Sequence, residues 1–166
     1  MVKKILIFFL IFFLQPIFAE EISGFPKIID GDTIKIGESK IRLEGIDAPE
    51  MRQICEKPFL QISYIIGLSF NKDYKCGVVS KEKLLNKIKK SKIRCTGSSK
   101  DKYKRYLATC YKDRTNLNKW MVRQGYAVAY KKYSNRYLID EQYAKENKLG
   151  IWKGTFLRPE KWRKLN

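Results

Sequence analysis

Apolar and polar residues alternate with a period of two through much of the first half of the chain and again before residue 112, the pattern of half-buried strands. In Ile28-Ile29-Asp30-Gly31-Asp32-Thr33-Ile34-Lys35-Ile36, apolar-alternating runs flank an Asp-Gly pair. This predicts a β-hairpin with Asp32 opening its second strand. Ile41-Arg42-Leu43-Glu44-Gly45-Ile46 predicts a third strand, and the proline of Asp47-Ala48-Pro49-Glu50 ends its pairing in a turn. Strands are therefore expected near Phe25 to Ile29, Thr33 to Ile36, Lys40 to Gly45, Lys92 to Thr96 and Tyr106 to Tyr111. Helical spacing replaces alternation in three places. Lys81 to Lys90, behind a Ser80 cap, puts Leu84, Leu85 and Ile88 on one face. Leu117 to Gln124 stops at Gly125 and Tyr137 to Lys148 stops before Gly150, each in the manner of a glycine C-cap. One helix between the third and fourth strands, with the others after the sheet, suits an α+β, mainly β domain. The expected architecture is a five-stranded Greek-key barrel of the OB type with three α-helices.

Two stretches fall outside this scheme. Phe59-Leu60-Gln61-Ile62-Ser63-Tyr64-Ile65-Ile66-Gly67-Leu68 is too apolar for a solvated loop and is assigned no element. At the N-terminus, Lys3-Lys4, the apolar run Ile5 to Leu14, and Gln15-Pro16-Ile17-Phe18-Ala19 have the basic, apolar and small-residue parts of a secretory signal, with Ala19 the last residue removed. The run is short for a bilayer span, which leaves a retained anchor as the alternative. The expected organisation is residues 1–19 as signal and residues 20–166 as one exported domain, periplasmic or extracellular, and monomeric by default. In the tail from Thr155 to Asn166, Trp162 is expected to pack on the barrel among solvated basic residues, with contact to substrate as the alternative.

Charge and cysteine content narrow the chemistry. Lysine and arginine number 35 against 17 acidic residues, a formal charge of +18 that draws polyanions such as nucleic acid, and equally anionic membrane surfaces. There is no histidine. That excludes Ser-His-Asp and Cys-His nucleophile systems and His-ligated zinc, and leaves acid-base work to carboxylates. Four cysteines in an exported chain without histidine point to disulfides before metal. Of the three possible pairings, Cys95 with Cys110 is expected because both lie in what read as neighbouring antiparallel strands around the Asp101 to Arg105 loop. Cys55 and Cys76 are then left to close the apolar stretch and tie it to the first helix.

Five side chains form a set suited to metal-assisted phosphodiester cleavage: Asp32, Arg42, Asp47, Glu50 and Arg105. A hard cation such as Ca2+ takes oxygen ligands in loose geometry, so two aspartates, a turn carbonyl and waters are enough to hold it. The arginines match phosphate bidentately and oppose charge growing in the transition state. Glu50, with its carboxylate free, suits activation of the attacking water. Singly, each has an ordinary reading: a turn, a strand exit, a solvated arginine.

Together their order and spacing resemble the staphylococcal nuclease (thermonuclease) family. The resemblance runs from about Phe25 to Trp152 and includes Asp30-Gly31-Asp32-Thr33, Arg42-Leu43, Asp47-Ala48-Pro49-Glu50, Asp101-Lys102-Tyr103-Lys104-Arg105 and Leu117-Asn118-Lys119-Trp120-Met121-Val122-Arg123-Gln124-Gly125. It implies that Asp32, Asp47 and the Ala48 carbonyl hold Ca2+, that Glu50 acts on the nucleophilic water, and that Arg42 and Arg105 grip the scissile phosphate. It further implies substrate contacts from Lys102, Tyr103, Tyr130 and Tyr133, and an endonuclease of DNA and RNA with little base preference, leaving 3'-phosphate and 5'-hydroxyl ends. Tyr126, in contrast, is expected in the core. One departure is Lys104, where the family usually has glycine; a positive φ there would strain lysine by roughly 1 kcal/mol. The alternative function is therefore a nucleic-acid-binding module on the same fold with little or no turnover.

Overall fold

The computed structural model describes residues 20–62 and 68–166, so the expected signal at residues 1–19 lies outside the described residues. The chain runs β1 (Glu20–Gly24), β2 (Lys27–Ile28), β3 (Thr33–Ile36), β4 (Ser39–Leu43), β5 (Ile46–Asp47), β6 (Ile54–Ile62) and β7 (Leu68–Lys75) into helix α1 (Cys76–Ile88). It continues through β8 (Ile93–Lys100), β9 (Tyr106–Lys112), β10 (Thr115–Asn116), α2 (Leu117–Arg123), β11 (Val128–Ala129) and α3 (Leu138–Glu146). A 3-10 turn (Gly150–Lys153) and α4 (Pro159–Leu165) complete it.

All five expected strands appear, as β2, β3, β4, β8 and β9, and they share one sheet in the order β1-β8-β9-β4-β3-β2, with β10 on the flank of β9. Every pairing is antiparallel except β4 with β9, which is parallel. The edge strands β1 and β2 are consecutive in the chain, joined across Phe25-Pro26, so the sheet curls into a half-barrel. Inside it, Ile34, Ile41, Leu43 and Ile46 are fully buried. Leu84 and Ile88 of α1 and Leu117, Met121 and Val122 of α2 pack against them. Each such aliphatic side chain contributes about 1.5–3 kcal/mol when taken from water. Asn118 is buried without loss: its amide donates to the carbonyls of Glu44 and Ala108 and its oxygen accepts from the Cys110 amide.

The mixed, mainly β architecture agrees with the sequence, but several elements differ. Helix α1 starts at Cys76, not Lys81, so Ser80 lies within the helix; its hydroxyl donates to the Tyr126 carbonyl at 2.6 Å instead of capping. Leu84 and Ile88 are buried as expected, whereas Leu85 is 46% exposed. The two later helices match, with α2 capped by the Asn116 side chain, which accepts from the Lys119 amide at 2.9 Å. Helix α4 and strand β1 were not expected, and neither was the β6/β7 hairpin, whose strands take in the two ends of the apolar stretch; residues 63–67 lie outside the described residues. Both disulfides form with the expected partners, Cys95–Cys110 across the β8/β9 ladder and Cys55–Cys76 from the hairpin to the start of α1. Among the described residues, no helix is long and apolar enough to cross a membrane.

Candidate active site

Backbone pairing brings the dispersed acidic and basic positions to one end of the half-barrel. Thr33 lies opposite Arg42 in the β3/β4 ladder, the amide of Leu43 donates to the Asp32 carbonyl at 2.8 Å, and Asp47 lies opposite Val128 in the short β5/β11 ladder. Parallel pairing of β4 with β9 sets Arg42 beside Leu107, two residues after Arg105. Gly31 makes the approach possible, since a Cβ there would collide with Ser80 and lie 2.7 Å from the Ala48 Cβ.

At the centre stands the Arg42 guanidinium. It donates to Asp32 Oδ1 at 2.6 Å and to Asp47 Oδ1 at 3.0 Å, so both aspartates converge on one planar cation. Asp32 is 4% and Asp47 1% exposed. The second Asp32 oxygen accepts from the Ala48 amide at 2.9 Å, which locks the aspartate to the turn. Asp30 lies behind, accepting from the Asp32 amide at 2.9 Å; burial first, then the charge of Asp32, push its carboxyl up to about 6. Burial likewise raises the Asp47 carboxyl, with Asp32 adding to the effect, although neighbouring arginines pull it back.

Arg105 approaches from the other side, donating to the Thr33 hydroxyl at 3.4 Å. Its orientation is fixed by Asp101. That carboxylate accepts from the amides of Tyr103 and Arg105 at 2.9 and 3.0 Å and from Arg105 Nε at 2.8 Å. Burial works to raise Asp101, but the Arg105 hydrogen bonds and charge outweigh it and hold the carboxyl below its ordinary range. Lys104 takes φ of 62°, the left-handed conformation that favours glycine.

The aromatic candidates border this cluster. The Tyr130 ring centroid is 5.9 Å from the Arg42 guanidinium carbon and stacks edge-on with Tyr133 at 4.8 Å. Tyr133 and Tyr103 are 70% and 67% exposed, with Tyr103 lying 5.4 Å from Arg105. Lys102 is exposed on the same loop, 4.9 Å from the Tyr103 ring. Tyr126 is half-buried against Trp120, the packing role expected of it.

One participant was not anticipated. Arg163 of α4 donates from NH1 and NH2 to the two Asp47 oxygens, each at 3.0 Å, and from NH1 to Glu50 Oε1 at 2.8 Å. The tail thus brings a cation into the cluster, while Trp162 is half-buried and outside the core clusters. Pro159 as the first residue of a short helix was the only local signal in Arg158-Pro159-Glu160-Lys161-Trp162-Arg163. Nothing in the sequence pairs residues 163 and 47. Among the described residues, no group of three or more acidic, cysteine or histidine side chains is gathered as a ready-made metal cage. The acidic groups instead share guanidinium partners.

Comparison with known proteins gives a consistent picture. The family model described as staphylococcal nuclease homologue matches residues 40–154. Over 139 residues the chain is 34% identical to the succinoglycan biosynthesis protein ExoI of Rhizobium meliloti, covering 81% of this chain and 66% of that protein. It is 34% identical to an uncharacterized endonuclease of Haemophilus influenzae, covering 83% and 70% of the two chains. To the micrococcal nuclease of Shigella flexneri the identity is 27%, with 84% and 79% covered. The chain thus spans a little under two thirds of the first of these relatives and more of the others.

Proposed function

The chain belongs to the staphylococcal nuclease family, and from that premise we propose that it is an exported, calcium-dependent endonuclease that hydrolyses DNA and RNA with low sequence specificity. The observation that carries this reading is the convergence of Asp32 and Asp47 on Arg42 at hydrogen-bond distance, with Arg105 held beside them through Asp101.

The residues fit a hard cation. Two buried carboxylates and the Ala48 turn offer only oxygen donors, and the half-buried Asp30 crowded against Asp32 adds negative charge that a divalent ion would relieve. Asp32, Asp47 and the Ala48 carbonyl would hold Ca2+, which supplies polarisation of a phosphoryl oxygen. Arg42 and Arg105 grip the phosphate as planar, permanently charged donors and stabilise charge on its oxygens. Glu50 accepts a proton from the attacking water as the new P–O bond forms. The bond to the 5' oxygen breaks and that oxygen leaves as a hydroxyl with a proton from solvent, so the phosphate stays on the 3' side. Lys102, Tyr103, Tyr130 and Tyr133 line the approach, where tyrosines stack on bases and lysine neutralises phosphate.

Two disulfides support an oxidising destination, and an N-terminal signal at residues 1–19 followed by one domain over residues 20–166 agrees with it. The left-handed Lys104 favours the second reading, a binding module with weak turnover. The deciding experiment is cleavage of labelled single-stranded DNA by the oxidised protein with Ca2+ and then with excess chelator, with the ends identified chemically. Calcium-dependent fragments ending in 3'-phosphate are expected; tight binding without cleavage would establish the module instead.

A further inference from the structure

Arg163 reaches the site from outside the stretch that the family model matches, on an element anchored to β6, β11 and α3 and not to the β3, β4 and β9 strands. The segment leading to α4 is pinned in three places. Thr155 bonds Glu56 through its carbonyl at 2.9 Å and its hydroxyl at 2.8 Å, the Leu157 carbonyl accepts from Gln53 at 2.6 Å, and Arg158 bonds Glu141 Oε1 and the Ala129 carbonyl, both at 2.9 Å. Glu141 is 1% exposed, so this last anchor is buried. Pro159 then fixes the entry into the helix, and Arg163 projects onto Asp47 and Glu50. With its side chain 34% exposed and its partner Asp47 at 1%, the guanidinium sits at the solvent side of Asp47 while remaining tied to the body of the fold.

The charges explain what this placement does. Asp32, Asp47 and Glu50 bring three carboxylates, and Arg42 and Arg163 bring two guanidinium groups in direct contact with them. Within this directly paired set one negative charge is left uncompensated, with Asp30 lying behind it and outside the count. A divalent cation bound there makes the paired set net positive by one, the complement of a single phosphodiester. Without Arg163 the same assembly would hold calcium against a larger negative charge but present no net charge to the substrate. Arg163 also fixes one oxygen of Glu50, a residue on a turn with few other restraints; its amide bonds the Gln53 side chain at 3.2 Å, and among the described residues Arg163 is the only ion-pair partner recorded for its carboxylate.

We propose that Arg163 is a positioning residue of the nuclease site: its fixed guanidinium orients the Glu50 carboxylate and offsets the charge of Asp47, so that it weakens calcium binding while promoting turnover. This rests on the nuclease reading of the site given above. Its distinguishing feature is that the two effects of removal have opposite signs, whereas loss of a merely structural contact would weaken metal binding and turnover together.

The test is calorimetric titration of the oxidised protein with Ca2+, alongside kcat and KM on a short single-stranded DNA, for the wild type, Arg163→Ala, Arg163→Lys and Lys161→Ala, with folding checked by tryptophan fluorescence. Lys161 is exposed on the same helix and removes the same charge without touching the site. Arg163→Ala is expected to bind calcium more tightly by on the order of tenfold while kcat falls by at least that factor. Arg163→Lys, which keeps the charge but loses the fork, should leave calcium affinity close to wild type and still lower kcat, and Lys161→Ala should change neither. If Arg163→Ala does not fold, the lysine variant alone decides, because unchanged kcat there removes the orienting role. Unchanged or weaker calcium binding in a folded Arg163→Ala protein overturns the proposal while leaving the nuclease reading intact. Absence of calcium binding by the wild type overturns both.

Discussion

The chemistry of the site is distributed unevenly among single residues. Glu50 is one of the least restrained carboxylates in the cluster and Arg105 is the arginine held by a loop, so substitution at either removes a functional group while sparing the buried Asp32, Arg42 and Asp47 contacts. Glu50→Gln and Arg105→Ala are each expected to lower cleavage by roughly two or more orders of magnitude, with unchanged far-UV dichroism showing that the fold survives. Lys104 makes a separate prediction. A left-handed lysine costs about 1–2 kcal/mol, and the greater freedom of an unfolded glycine returns about half of that, so Lys104→Gly should stabilise the protein by roughly 0.5–1 kcal/mol in urea unfolding. The residues around Arg42 were legible from sequence because strand, turn and motif place them locally. Arg163 was not: its partners lie more than a hundred positions away, and an arginine in a basic tail looks like any solvated cation.

At the level of elements, the connection between α3 and the tail depends on Glu141. Its carboxylate accepts from Arg158 at 2.9 Å, Lys145 at 3.1 Å and the Ala129 amide at 3.2 Å, and it joins α3, β11 and the approach to α4 at one buried point. Burial works to raise this carboxyl, but Lys145 and Arg158 prevail and hold it below the usual glutamate range. A depressed folded-state pKa contributes stability that is present above the unfolded value, about 4.3, and is lost as pH falls through the folded one. Glu141→Gln should therefore cost about 3 kcal/mol at pH 7, with the gap to wild type narrowing below about pH 4 in chemical unfolding measured across pH. Alternation and glycine stops made most elements readable. The β6/β7 hairpin was not, because its exposed Ile54, Phe59 and Phe70 break the inside-outside pattern and Pro58 lies at a register shift. The start of α1 was misread because the helix begins at a disulfide cysteine and has no side-chain cap.

Across the whole molecule, the strongly positive formal charge, +18 for the full chain and still strongly positive without residues 1–19, acts on encounter more than on chemistry. Raising salt from about 50 to 200 mM should increase KM for a long single-stranded substrate steeply, roughly tenfold or more, while kcat changes little, as steady-state kinetics across a salt series would record. The same charge was plain in the composition, although composition alone did not separate nucleic acid from other polyanions. The parallel pairing of β4 with β9 has a different consequence, and it concerns time. Arg42 and the strand that follows Arg105 meet only when segments more than sixty residues apart close on each other, with β5, β6, β7, α1 and β8 between them. Such a long-range closure is slow to nucleate because its loop entropy is spent before contacts reward it. In refolding with both disulfides intact, cleavage activity should return with the slowest phase of the intrinsic fluorescence and not before it, making catalysis itself the clock for the last step of assembly.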